Sequence, residues 1–247
     1  MTASRTALIS GASRGIGLGI ANRLAQRGYS LTITARDAAR LDAVAVDLRA
    51  AGAPEVVTVA ADMADEDGVG RVLGAHADRF ASMSALVLNA GVGTAGTFAE
   101  SSMRRFDKTF AVNVRAPVQL IQGALPLLRG GAAAEPERGA KVIALASIAG
   151  VYAEAGLSVY GAAKAALISL LDTLNAEESA HGVTATSIAP GYVDTEMSAW
   201  IHDRIPPDRM IAVNDVVEMV DSLLRLSARA VVPNIVMSRA GADAYRA

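Results

Sequence analysis

Short apolar runs alternate with longer amphipathic stretches along the whole chain, and that alternation restricts the fold more than any other feature. Apolar runs at residues 6–9, 31–34, 56–60, 86–88, 141–146, 183–188 and 234–237 are separated by helical patterns at 15–27, 37–51, 66–81, 102–128, 159–179 and 214–226. Strands joined through crossover helices pair in parallel, because only a long connection returns the chain to the same end of the sheet. The run Ala85–Leu88 is apolar on both sides of its pleat, as a strand covered on two faces must be. The expected fold class is α/β: a single-domain, Rossmann-like, doubly wound parallel sheet of about seven strands with helices on both faces, spanning residues 1–247. Two stretches read as connections. Residues 130–139 form an exposed loop after the long helix, and residues 191–207 follow a strand end, where a lid over a ligand is expected ahead of a plain surface excursion.

Composition narrows the function classes. The 247 residues are 52% hydrophobic and 19% charged with a net charge of −2, which gives no electrostatic reason for a nucleic-acid or anionic-membrane partner. The absence of cysteine removes disulfides, thiolate metal sites and cysteine nucleophiles together, and suits a cytoplasmic location. No leader fits residues 1–5, and no apolar run reaches the roughly 18 residues that span a bilayer. His76, His181 and His202 are scattered without ligand spacing, so no metal site is expected. No G-x-S-x-G elbow accompanies Ser147, which sets aside a serine hydrolase.

The first strand runs into Ser10-Gly11-Ala12-Ser13-Arg14-Gly15-Ile16-Gly17 and then a helix. A tight turn without Cβ atoms lets a pyrophosphate approach the backbone, and the helix N-terminus adds unpaired N–H groups and the positive end of its dipole. The spacing is G-x-x-x-G-x-G rather than the commoner G-x-G-x-x-G. Further on, Tyr160 and Lys164 stand four apart on one helical face. A free phenol has a pKa of about 10, and lowering it by about 3 units takes roughly 4 kcal/mol of preference for the phenolate. A lysine ammonium close by in a medium of low effective dielectric supplies energy of that order. Tyr160 is therefore the expected general acid/base and Lys164 the group that tunes it.

These features resemble the short-chain dehydrogenase/reductase family over nearly the whole chain, in particular its NADP-dependent 3-oxoacyl-ACP-reductase-like members. The resemblance rests on the Gly-rich turn, Asn89-Ala90-Gly91 after the fourth strand, Asn113 in the long helix, and Ser147 after the fifth strand. It continues with Tyr160-x-x-x-Lys164 thirteen residues beyond Ser147, and Pro190-Gly191 with Thr195 after the sixth strand. Ser10 stands where the family more often has threonine.

The resemblance implies hydride transfer between NADP(H) and a carbonyl or secondary alcohol, with Ser147, Tyr160, Lys164 and Asn113 catalytic. Lys164 would also bond the ribose hydroxyls, and Asn113 would hold a water linking Lys164 to solvent. For the cofactor it implies Gly11, Ser13, Arg14, Gly15, Ile16 and Gly17 at the phosphates and Asp62 with Met63 at the adenine. Asn89, Ala90 and Gly91 would lie along the adenosine ribose, and Pro190, Gly191, Val193 and Thr195 at the nicotinamide.

At the end of the second strand the residue that is acidic in NAD users is Ala35, followed by Arg36. Arg36 and Arg14 can hold a 2′-phosphate, which places NADP(H) ahead of NAD(H). Asp37 reads as a helix N-cap rather than as the ribose acid. Tyr152 is a candidate for the wall of the substrate pocket, and Ser158 is structural. Family members associate through the helices at 102–128 and 159–179, where Ala162, Ala163, Ala165 and Ala166 permit close approach, so a homodimer or homotetramer is expected. The alternatives are an NAD-dependent alcohol or steroid dehydrogenase, or a non-catalytic dinucleotide sensor. The ending at residues 238–246 lacks the glycine-rich character of acyl-carrier-protein ketoreductases, which weighs against an acyl substrate.

Overall fold

A computed structural model describes residues 5–93 and 95–242; the start of the chain and the end of the C-terminal run considered above lie outside the described residues. Seven parallel strands form one sheet in the order β3-β2-β1-β4-β5-β6-β7. They are β1 (Thr6–Ser10), β2 (Ser30–Ala35), β3 (Val56–Ala60), β4 (Ala85–Leu88), β5 (Ala140–Leu145), β6 (Val183–Pro190) and β7 (Asn234–Met237). The chain reverses direction across the sheet between β3 and β4, so β1 and β4 part at their carboxyl ends and open a crevice there.

Helices cover both faces. Helices α1 (Gly15–Gln26), α2 (Ala38–Ala50) and α7 (Val213–Leu224) pack on one side through Ile20, Leu24, Leu41, Leu48, Val216 and Val220. Helices α3 (Glu66–Arg79), α5 (Ala116–Ala134) and α6 (Ser158–Glu178) pack on the other through Val69, Val72, Leu120, Leu128, Leu167 and Leu171. The neighbours Leu8 and Ile9 of β1 face opposite layers, and both are fully buried. Two covered faces are the physical reason that the strands read as unbroken apolar runs.

Two expectations need correction. The helix expected over 102–128 is interrupted: α4 (Met103–Phe110) passes into a π-helical turn, Ala111–Arg115, before α5 begins. One extra residue in a helical turn leaves the hydrophobic period on either side nearly unchanged, so the pattern does not reveal it. The loop expected over 130–139 begins later, because α5 runs on to Ala134. Gly131 allows this: a Cβ there would lie 2.2 Å from the Met83 carbonyl oxygen, so the helix rests directly on the backbone leading into β4. Gly131, read as loop punctuation, marks a close helix–backbone contact instead.

Candidate active site

The carboxyl edge of the sheet holds a cleft of about 750 Å³ that runs from the Gly-rich turn across to the segment after β6. Every catalytic or cofactor residue expected from the sequence lines it except Gly17 and Asn113.

At one end, β1 delivers Ser10, whose hydroxyl accepts from the backbone N–H groups of Asn89 and Ala90 at 3.0 Å each. The Asn89 amide donates back to the carbonyls of Ser10 and Gly11, at 3.1 and 2.9 Å. These bonds tie the turn after β1 to the turn after β4 across the crevice. Gly11 adopts φ +68°, which a side chain would strain. A Cβ on Gly17 would come within 2.2 Å of the Gly11 carbonyl oxygen. Gly17 thus acts from behind the loop, by letting α1 seat against it. The α1 N-terminus has no side-chain cap and no acidic residue in its first turn. Its free N–H groups, with the turn held clear of side chains, fit the phosphates of a dinucleotide.

Past β2, Asp37 caps α2 by accepting from the Arg40 N–H at 3.0 Å, as the sequence suggested. Arg36 is exposed, lines the cleft and makes no ion pair among the described residues. Arg14 pairs with Glu196 from the segment after β6, and Arg40 lies 4.0 Å from the same carboxylate. Asp62 accepts from the Ala64 N–H at 2.9 Å, with the buried Met63 beside it.

The chemistry-bearing groups meet where the ends of β5 and α6 converge. Ser147 caps a short 3-10 turn, Ile148–Gly150, accepting from the Ala149 N–H at 3.2 Å. That turn docks on α6 through two glycines. A Cβ on Gly150 would sit 2.8 Å from the Lys164 carbonyl carbon, and one on Gly161 would sit 2.6 Å from the Ala149 carbonyl oxygen. This close approach sets Ser147 beside Tyr160 at the cleft. Lys164 is buried, donates to the Leu145 carbonyl at 2.7 Å, and places its Nζ 5.7 Å from the Tyr160 ring centre. Burial pushes the Lys164 pKa down to about 8.

Burial also pushes the Tyr160 phenol above its usual value, while the Ser147 hydroxyl pulls it the other way. This direction is opposite to the acidification expected from Lys164. The cation spends its shortest bond on a backbone carbonyl, and the protein's own groups hold Tyr160 as the neutral phenol.

Asn113 sits in the π-helical turn behind the cleft wall. Its Oδ1 accepts from the Val92 N–H at 3.1 Å and its Nδ2 donates to the Val92 carbonyl at 2.9 Å. A Cβ on Gly91 would meet both Asn113 Oδ1, at 3.1 Å, and Lys164 Nζ, at 3.5 Å. Asn113 and Lys164 therefore flank the same glycine.

Beyond Tyr160, Glu154, Leu157, Tyr192, Met197 and Trp200 complete the cleft. None of these was singled out as a site residue from sequence, where 191–207 read as a lid ahead of a surface excursion, with Gly191, Val193 and Thr195 at the nicotinamide. That segment does border the cleft, in a 3-10 turn Glu196–Ile201 that keeps Ile201 buried and Trp200 exposed. Tyr152 is not among the residues lining the cleft. Ser158 lies at the start of α6, against a separate small cavity.

A doubly wound sheet with a helix mouth at its switch point, and a serine, tyrosine and lysine gathered beside it, defines a dinucleotide-binding α/β oxidoreductase. Residues 5–205 match the family model for short chain dehydrogenase, and the chain belongs to that family. It is 32% identical over 206 residues to a 2-(R)-hydroxypropyl-CoM dehydrogenase of Xanthobacter autotrophicus, covering 81% of this chain and 79% of that protein. It is 32% identical over 203 residues to the 3-oxoacyl-[acyl-carrier-protein] reductase MabA of Mycobacterium avium, covering 82% of this chain and 72% of that protein. A short chain dehydrogenase of Burkholderia cenocepacia, solved in complex with NADP, superposes with a TM-score of 0.84 at 30% identity, covering 95% of this chain and 96% of that one.

Proposed function

We propose that the protein is an NADP(H)-dependent carbonyl reductase in which Tyr160 is the proton donor, the whole chain acting as one dinucleotide-binding and catalytic unit. The observation that carries this reading is the convergence of Ser147, Tyr160 and Lys164 on one end of a cleft whose other end is the uncapped α1 N-terminus and Arg36. When bound, NADPH supplies the hydride for the carbonyl carbon. Tyr160 donates its proton to the carbonyl oxygen, and Ser147 donates a hydrogen bond to the same oxygen as charge develops on it. The Lys164 ammonium has three protons and gives one to Leu145; the other two would be available to the ribose hydroxyls of a bound cofactor and to water.

Reduction is the favoured direction. We base this on the cofactor, since NADPH is a hydride donor, and Tyr160 is in the proton-donating phenol form that reduction uses. Oxidation of an alcohol would need the phenolate and gains as pH rises. NADP(H) is favoured over NAD(H) because β2 ends in Ala35 with the unpaired Arg36 after it, while the nearest carboxylate, Asp37, is committed to capping α2. The Burkholderia relative's NADP supports the same choice. A cytoplasmic homodimer or homotetramer completes the proposal. Ala162 and Ala165 are exposed on α6 and free for helix contact, whereas Ala163 is buried against the protein's own core.

A panel of ketones with NADPH, followed by the loss of its absorbance, tests the reading. Tyr160→Phe is expected to lower kcat/KM by about 100-fold or more, the usual worth of a general acid, with NADPH binding retained. Undiminished turnover in that variant would remove Tyr160 from the chemistry.

A further inference from the structure

We propose that Glu154 and Tyr192 form a charge filter at the substrate end of the cleft, so that the enzyme accepts uncharged or cationic aryl and alkyl carbonyl compounds and rejects those carrying an anion on the aryl or alkyl body. The inference rests on the reductase reading above and adds the chemical class of the substrate.

Both residues line the cleft beyond Tyr160. The Tyr192 hydroxyl donates to Glu154 Oε1 at 3.0 Å, a bond across 38 residues that fixes the carboxylate at the cleft wall. Glu154 has no ion-pair partner among the described residues. Its charge is felt next door: the Tyr192 phenol is pushed well above its usual pKa, first by burial and then by the Glu154 carboxylate. Arg204, exposed on the segment after β6, pulls that phenol the other way without pairing with Glu154. Lys108 from α4 also borders the cleft. Neither cation neutralises the carboxylate at hydrogen-bonding distance, so an incoming anion would meet an unpaired negative charge in a partly desolvated space.

The rest of the wall is apolar. Tyr192 and Trp200 meet edge to face with ring centres 6.1 Å apart, and Met197 and Leu157 continue the surface. Trp200 and Met197 are 57% and 51% exposed, an unusual investment of large apolar side chains unless a hydrophobic group covers them. An aromatic or alkyl body against this wall, with either no charge or a cation facing Glu154, satisfies both halves of the pocket.

Three matched substrates decide the matter: 4-arylbutan-2-ones whose rings carry a para methyl, carboxylate or trimethylammoniomethyl group. The substituent is insulated from the carbonyl, so differences in kcat/KM report the pocket and not the intrinsic reactivity. The wild-type protein is expected to use the carboxylate at least about tenfold less efficiently than the methyl compound, with the cationic compound at or above the methyl one. In Glu154→Gln the ratio of methyl to carboxylate efficiency is expected to fall about fivefold or more, because the amide keeps the shape and loses the charge. An anionic substrate used as well as the neutral one, or a ratio unmoved by the substitution, overturns the filter while leaving the reductase reading intact. Should Glu154→Gln fail to fold, the three wild-type efficiencies still decide it. Turnover of none of the three overturns the reductase reading, and the filter with it.

Discussion

Replacing Arg36 with alanine should separate the two nicotinamide cofactors. Arg36 is exposed at the cleft and unpaired among the described residues, whereas Arg14 already faces Glu196 and Asp37 faces the α2 backbone. The guanidinium is therefore the cation most available to a 2′-phosphate. A charge-assisted hydrogen bond contributes about 1.5–3 kcal/mol. Exposure and screening over a Debye length of about 8 Å favour the lower end of that range. At about 1.4 kcal/mol per factor of ten, the NADPH dissociation constant should rise about 10- to 30-fold. NADH, with a neutral hydroxyl in place of the phosphate, should change by less than about threefold. Fluorescence titration of both cofactors at two salt concentrations measures the effect, and the NADPH loss should shrink at high salt. An unchanged NADPH constant, or equal losses for the two cofactors, would refute the assignment of Arg36 to the 2′-phosphate.

Adjacent glycines of α5 should respond in opposite directions. Gly131→Ala forces a Cβ against the Met83 carbonyl and should cost about 1–3 kcal/mol. Gly130→Ala meets nothing closer than 3.8 Å and should add up to about 1 kcal/mol of helix stability, both read by denaturant melts. His76, fully buried on α3 and bonded to Thr32 at 2.9 Å, has its pKa lowered by burial to about 4. Between its ordinary value of 6.5 and about 4 the unfolded chain binds a proton that the native state refuses, so stability is intact above pH 6.5 and drains away as pH falls through that window. The loss should reach about 3 kcal/mol by pH 4, and melts of His76→Gln that keep the full acid slope would count against His76 as its source.

The strand–helix alternation made the sheet legible because its signals are local: apolar runs of strand length, helical periods, and Asp37 as a cap. The cofactor end was legible for a similar reason. Gly11, Gly15 and Gly91 are needed where backbone must stay bare, and bare backbone leaves a glycine in the sequence. What escaped was set by contacts between distant residues. Nothing near Glu196 indicates that it pairs with Arg14, 182 positions earlier, and nothing near Glu154 indicates that Tyr192 will donate to it. Gly131 shows the limit from the other side: the same residue type marks a loop or a close contact, and only the neighbouring backbone decides which.

The Tyr160–Lys164 spacing carries the deepest version of that limit. Four residues apart on a helix puts two side chains on one face, but it does not say which acceptor the lysine will choose. Here the Leu145 carbonyl takes the ammonium at 2.7 Å, and burial then moves both groups toward their neutral forms, the phenol up and the lysine down to about 8. Both shifts have one cause, the dry floor beneath β5 and α6. A neutral phenol is the form that can donate a proton, so the desolvation that raises the Tyr160 pKa keeps it in that form while making it a weaker acid. The protonation of the pair thus follows from the depth of the site, which the spacing of the two residues does not show.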